Sequence, residues 1–258
     1  MEAGELGLYM FLVCMFSTLL QYPTSPVRHF VPSAVVRRAI MGLLVGSTVV
    51  TIILTPWGKQ SGGHFNPAIT LTFYRLGKVQ FWDTLFYVAA QFVGAAGGVA
   101  IAAYLLRGST ADATVRYAVT APGIFGNAGA LAGEVSISFI LMTAILFASN
   151  REALARYTPY VVGVLYATFI TFETPLSGMS MNPARTFGSA FRAGYWQAIW
   201  IYFIAPTVGM LAGAEIFLWV RGGIPPYCAK LCHDNDKRCI FQHSVRRHES
   251  KILISKEI

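Results

Sequence analysis

The stretches SGGHFNPAIT (residues 61–70) and GMSMNPARTFGSA (residues 178–190) share the tripeptide Asn-Pro-Ala, and Asn66 and Asn182 stand 116 residues apart. Asn is a natural helix N-cap and Pro suits the first helical position, so each copy reads as a helix start approached through a Gly-containing turn. Both copies lie in a strongly apolar chain. An unpaired amide in hydrocarbon costs several kcal/mol unless it faces protein or a water-filled path. Two such caps point to one shared path.

Of 258 residues, 55% are hydrophobic and 12% charged, and the mean hydropathy is +0.53, which is the composition of a membrane protein. Six apolar stretches cover Leu6–Leu20, Val35–Leu54, Phe81–Leu106, Ala128–Ala148, Tyr160–Phe172 and Tyr195–Val220. Several approach the ~20 residues needed to cross a ~30 Å core, and the first and fifth are the shortest. Glu2 and Glu5 stand where a signal peptide would carry basic residues, so the first stretch is expected to be an uncleaved span. The net charge of +8 is scattered over loops and tail, with no domain to present it to nucleic acid. Lys and Arg gather after the sixth stretch (Arg221, Lys230, Lys237, Arg238, Arg246, Arg247, Lys251, Lys256), which by the positive-inside rule puts the C-terminus in the cytoplasm. An even number of spans puts the N-terminus there too, in a plasma-membrane protein. Arg151 and Arg156 agree, whereas Arg28, Arg37 and Arg38 oppose this orientation.

Each half, residues 1–110 and 125–222, holds three spans with one Asn-Pro-Ala segment between its second and third. Three crossings is odd, so the second half enters from the opposite face and the halves form an inverted repeat. The expected fold is an all-α membrane protein with six transmembrane helices and two re-entrant half-helices. From Asn66 to Leu76 the run is roughly 11 residues, which at ~1.5 Å each reaches about half of the core. Two half-helices meeting at the midplane bring two positive helix ends and two donor amides beside one path, a field that repels cations and protons. The carbonyls of Gly62, Gly63 and His64, and those of Gly178, Met179 and Ser180, are expected to supply an acceptor ladder on each side. Arg185 follows the second motif and is a costly charge at membrane depth.

At these residues the chain resembles the aquaporin, or major intrinsic protein, family over residues 1–222. The resemblance implies a right-handed six-helix bundle, a pore in every protomer and a homotetramer. It also assigns Glu134, 48 residues before Asn182, as the buried carboxylate bracing the second loop, with Glu5 as an approximate first-half counterpart. The family's four-residue constriction falls on Gly46, Ile170, Met179 and Arg185 by counting from the two Asn residues. In water-specific members the first position is a bulky aromatic and the second usually His, so this filter is expected to be wide and less polar. Gly46 and Ile170 have a second reading, as a close helix approach and a packing residue. Thr186 stands where glycerol facilitators usually carry Asp, while Ala190 and Tyr202-Phe203 resemble the water-channel pattern. Glu173 and Glu215 read as interfacial charges near helix ends.

The implied function is a passive channel for water and small uncharged solutes such as glycerol, urea, ammonia, peroxide or metalloid acids, working in the lipid bilayer without a cofactor. A coupled secondary transporter and a non-conducting membrane protein with a metal-binding tail are the competing readings. No nucleophile with a base, phosphate loop or catalytic metal set stands in the spans, so no enzyme is expected. Beyond residue 222 the chain turns polar and basic. There Cys228, Cys232, Cys239 and His243 form C-x3-C-x6-C-x3-H, a set that suits a structural zinc site, against the alternative of a basic tail near anionic lipid.

Overall fold

The computed structural model describes residues 1–233, 235 and 237–243. The expected spans form helices α1 (Glu2–Gln21), α2 (Ala34–Leu54), α4 (Phe81–Leu106), α5 (Gly126–Ser149), α6 (Thr158–Phe172) and α8 (Ile199–Val220), and the two motifs open α3 (Pro67–Arg75) and α7 (Pro183–Ala193). Among the described residues, five helices are long and apolar enough to cross a membrane, and α6, at 15 residues, is continued by a short turn of helix at Thr174–Ser177. The last span begins at Ile199 rather than Tyr195, because Ala198 turns left-handed at φ 55° and reverses the chain after α7. Following the helices in order puts the start of α1, the end of α8 and the tail on one face, here the proximal face. The linker of residues 107–125 lies on the opposite, distal face.

Within each half the first span packs on the third: α1 on α4, and α5 on α8. The second spans, α2 and α6, pack on each other across the repeat. Small residues four apart let these backbones touch, the usual basis of helix association in lipid. A Cβ added at Gly94 or Gly98 would lie under 3.0 Å from the α1 backbone at Ala3 or Gly7, and one at Gly209 would meet the Val135 carbonyl on α5. Leu6, Met10, Val49, Ile69, Leu141 and Met210 fill one continuous apolar core between these contacts.

The described tail folds back onto the proximal face. Its Tyr227 N–H donates to Asn150 Oδ1 at the end of α5, its Leu231 N–H to the Gly62 carbonyl, and its Gln242 N–H to the Lys78 carbonyl. Ala229, Leu231 and Cys232 are buried in the main core. Arg246, Arg247, Lys251 and Lys256, used above to orient the chain, lie outside the described residues.

Candidate pore and its two mouths

The loops leading to the two Asn residues adopt the same backbone path step for step. Gly62 and Gly178 are left-handed (φ 98° and 81°), followed by Gly63 and Met179 (68° and 50°) and, one residue before each Asn, by Phe65 and Met181 (29° and 54°). Residues other than Gly rarely occupy this region, so something must hold them there. A carboxylate does so in each half. Glu134 accepts from the Ser180 and Met181 N–H groups, both at 2.7 Å, and from Ser177 Oγ. Glu2 accepts from the His64 and Phe65 N–H groups at 3.2 and 2.7 Å and from Gln91 Nε2. The first-half brace is therefore Glu2, and the assignment to Glu5 is corrected: Glu5 lies one turn further along α1, where it accepts from Ser61 Oγ at 2.7 Å. Ser61 and Ser177 in turn accept from the Gly63 and Met179 N–H groups.

This arrangement presents the Phe65 and Met181 carbonyls to the opposite half. Asn66 Nδ2 donates to the Met181 carbonyl at 2.7 Å, and Asn182 Nδ2 donates to the Phe65 carbonyl at 2.8 Å. Each Asn Oδ1 caps its own helix, accepting from the Ala68 and Arg185 N–H groups respectively. A primary amide carries two N–H bonds, so each Asn retains a second donor after the cross-bond is made. The half-helices thus meet end to end, with both helix N-termini at one point.

On the distal side the path widens into a cavity of about 320 Å³ lined by Tyr9, Val45, Ile170, Met179, Gly178 and Arg185 among others. Arg185 is 7% exposed, and its Nη1 has no hydrogen-bond partner among the described residues, leaving a fixed donor at the cavity wall. The Tyr9 hydroxyl is set against this guanidinium. Gly46 is corrected as a lining residue. A Cβ there would lie under 3.0 Å from the Gly163 carbonyl oxygen, so Gly46 is a close approach of α2 to α6, and its neighbour Val45 takes the wall position. Thr186 does not face the solute either; its hydroxyl joins those of Ser180 (2.6 Å) and Thr120 (2.8 Å) and braces the loop. Glu173 is buried beside Gly133 rather than interfacial, whereas Glu215 does stand at an exposed ion pair with Arg75 at 2.9 Å.

The proximal mouth is covered. Residues 61–66 are all buried, and the Gly62 carbonyl, expected as a free acceptor on the path, is taken by Leu231 N–H. The His64 ring is sandwiched between Phe73 at 5.2 Å and Phe241 of the tail at 5.5 Å. Its Nε2 faces the Ala229 carbonyl at 2.9 Å and its Nδ1 faces Thr70 Oγ1 at 3.1 Å. A carbonyl only accepts, so the neutral ring carries its proton on Nε2. In the tail, Cys228, His233, Cys239 and His243 converge with their ligand atoms within 4.8 Å of one another. The expected Cys232 is replaced in this group by His233, the next residue. Burial pushes the Cys228 thiol up to about 12, so without a metal it stays protonated.

The braces at Glu2 and Gln91 and the Tyr9 contact were missed in the sequence, although a carboxylate in the first turn of a membrane-spanning helix is a signal that a buried donor awaits it. The model of the family "Major intrinsic protein" matches residues 3–217. The maize protein described as aquaporin NIP2-3 is 32% identical over 213 residues, covering 82% of this chain and 67% of the maize protein. Maize aquaporin TIP4-4 is 34% identical over 192 residues (71% and 73% of the two chains), and soybean nodulin-26 is 32% identical over 179 residues (69% and 58%). The solved aquaglyceroporin of Plasmodium falciparum shares the fold with a TM-score of 0.71 at 21% identity, covering 84% of this chain and 92% of that one. The chain belongs to the major intrinsic protein family and is a passive channel for water and small solutes.

Proposed function

We propose that the pore has a broad filter and passes, besides water, neutral solutes of the size of glycerol, urea, ammonia, peroxide or a metalloid acid. The observation that carries this reading is the cavity wall, where Val45, Ile170 and Met179 stand with Arg185, whose Nη1 has no hydrogen-bond partner among the described residues. Aliphatic and thioether side chains leave room for a carbon skeleton, while Arg185 and the Asn pair supply donors to its hydroxyls and oppose cations. Asn66 and Asn182 are the central site in this reading, with the carbonyls of Gly63, His64, Gly178, Met179 and Ser180 as acceptors along the path.

The same reading places the protein in a plasma membrane as a homotetramer, with both termini in the cytoplasm. Lys59, Arg75, Lys78, Arg151, Arg156, Arg221, Lys230, Lys237 and Arg238 on the proximal face support this orientation over Arg28, Arg37, Arg38, Arg107, Arg116 and Arg192 on the distal side. Transport itself needs no cofactor, and a zinc ion is assigned to the tail cluster alone. Swelling of proteoliposomes in water, glycerol, urea and boric acid tests the filter in wild type, Val45→Phe and Ile170→His. Both substitutions should cut glycerol flux several-fold and leave water flux within about twofold, since narrowing excludes the larger solute first. An unchanged order of permeants in both variants would rule this filter out.

A further inference from the structure

We infer that Cys228, His233, Cys239 and His243 bind a zinc ion, and that this ion fastens the tail over the proximal mouth so that zinc occupancy sets how often the path is open. Two thiols and two imidazoles form the donor set of a closed tetrahedral zinc site, in which neighbouring donor atoms sit roughly 3.3–3.8 Å apart. Here the Cys228 and Cys239 sulfurs are 3.3 Å apart as free thiols, and all four donors lie within 4.8 Å. The two imidazoles stand edge to face at 5.2 Å, and Tyr227 backs both rings. Binding exchanges the two thiol protons for the metal, and nothing is oxidised or reduced.

The ligands bracket the residues that touch the pore. Cys228 precedes Ala229, whose carbonyl holds His64 Nε2, and Leu231, whose N–H holds the Gly62 carbonyl. Cys239 and His243 flank Phe241, which stacks on His64 and lies where a Cβ on Gly62 would approach it to 2.8 Å. Two strands of tail, one on either side of residues 234–236, therefore press on the same stretch of loop, and neither forms a helix or a ladder of its own. Lys230 Nζ joins them by donating to the Lys237 and Arg238 carbonyls. A metal bound by both strands turns these separate contacts into one rigid cap, and its loss frees each strand to lift alone. Cys2His2 chemistry selects zinc over the hard cations magnesium and calcium, which take oxygen ligands.

This inference rests on the channel reading, and the experiment separates the two. Full-length protein is purified under reducing conditions, its metal content read by mass spectrometry, and its water permeability measured in proteoliposomes against buffered zinc, with and without a chelator. About one zinc per chain is expected. Its removal should raise permeability roughly tenfold, as for a cap whose open state is about 10% populated when metal is bound. Cys228→Ser/Cys239→Ser should lose the metal and conduct at the chelated level whatever the zinc concentration, and Phe241→Ala should keep the metal yet conduct more than wild type. Absence of zinc, a Cys228–Cys239 disulfide in its place, or bound zinc with unchanged permeability each overturns the inference. If neither the chelated wild type nor Phe241→Ala conducts, the channel reading itself fails.

Discussion

The two half-channels are alike at the centre and unlike at the mouths. From Ser61 to Asn66 and from Ser177 to Asn182 the backbone repeats its left-handed turns, its serine contact and its carboxylate brace, and each Asn reaches the carbonyl before the other. Outward from there, one loop opens on a cavity walled by Val45, Ile170 and Arg185, and the other lies under Leu231 and Phe241. The centre is therefore fixed by buried polar bonds that both halves share. The mouths differ in the side chains and tail contacts around them, and on the proposed reading these set what passes and when.

The largest effect is expected from breaking the shared centre. Glu134→Ala leaves two buried N–H groups and the Ser177 hydroxyl without their acceptor, at about 1–3 kcal/mol each, and Glu2→Ala does the same to His64 and Phe65. Both variants should lower the melting temperature in detergent sharply and abolish flux; a Glu2→Ala protein with wild-type melting and transport would show that the halves are not braced alike. Next comes the pair Gly46 and Val45. Gly46→Leu forces a side chain into the α6 backbone, a strain of about 1–3 kcal/mol, and should cost folded protein without changing selectivity in what survives. Val45→Phe should do the reverse, so equal melting temperatures for the two would contradict the assignment of the wall.

A smaller and purely functional effect is expected at Arg185→Leu. Among the described residues its guanidinium makes no ion pair and its Nη1 has no hydrogen-bond partner, so stability should hold while cation exclusion weakens, read as current across planar bilayers under a salt gradient. Silence under all gradients would place the cation barrier at the Asn pair alone. The smallest effect belongs to the rim: Glu215→Gln removes an ion pair that is about half exposed on both sides, which contributes ~0–1 kcal/mol, and should leave melting and flux unchanged.

Much of this was legible in the sequence for a physical reason. A capped half-helix in a membrane demands Asn-Pro in an apolar context, and three spans per half force the inversion, so the motifs and the topology followed from local chemistry. Glu134 was legible because it lies at the family's spacing from Asn182. Its counterpart was not: Glu2 and Glu134 are 132 residues apart while the two Asn residues are 116 apart, so counting the second half's spacing back from Asn66 stops at Thr18, short of Glu2. Gly46 failed by a single residue, since one position turns a helix by about 100° and moves a side chain from the pore wall to the helix interface. The second reading offered for Gly46, close helix approach, is the one the packing supports. His233 replaced Cys232 for a related reason, because an irregular segment has no periodicity from which to tell which of two adjacent side chains turns inward.

If the two half-channels form one passive path through the Asn pair, solute and water flux in proteoliposomes, measured with and without proton and sodium gradients after removal of zinc, should be unsaturated, indifferent to both gradients and only weakly dependent on temperature. Saturable uptake that requires an ion gradient would contradict it.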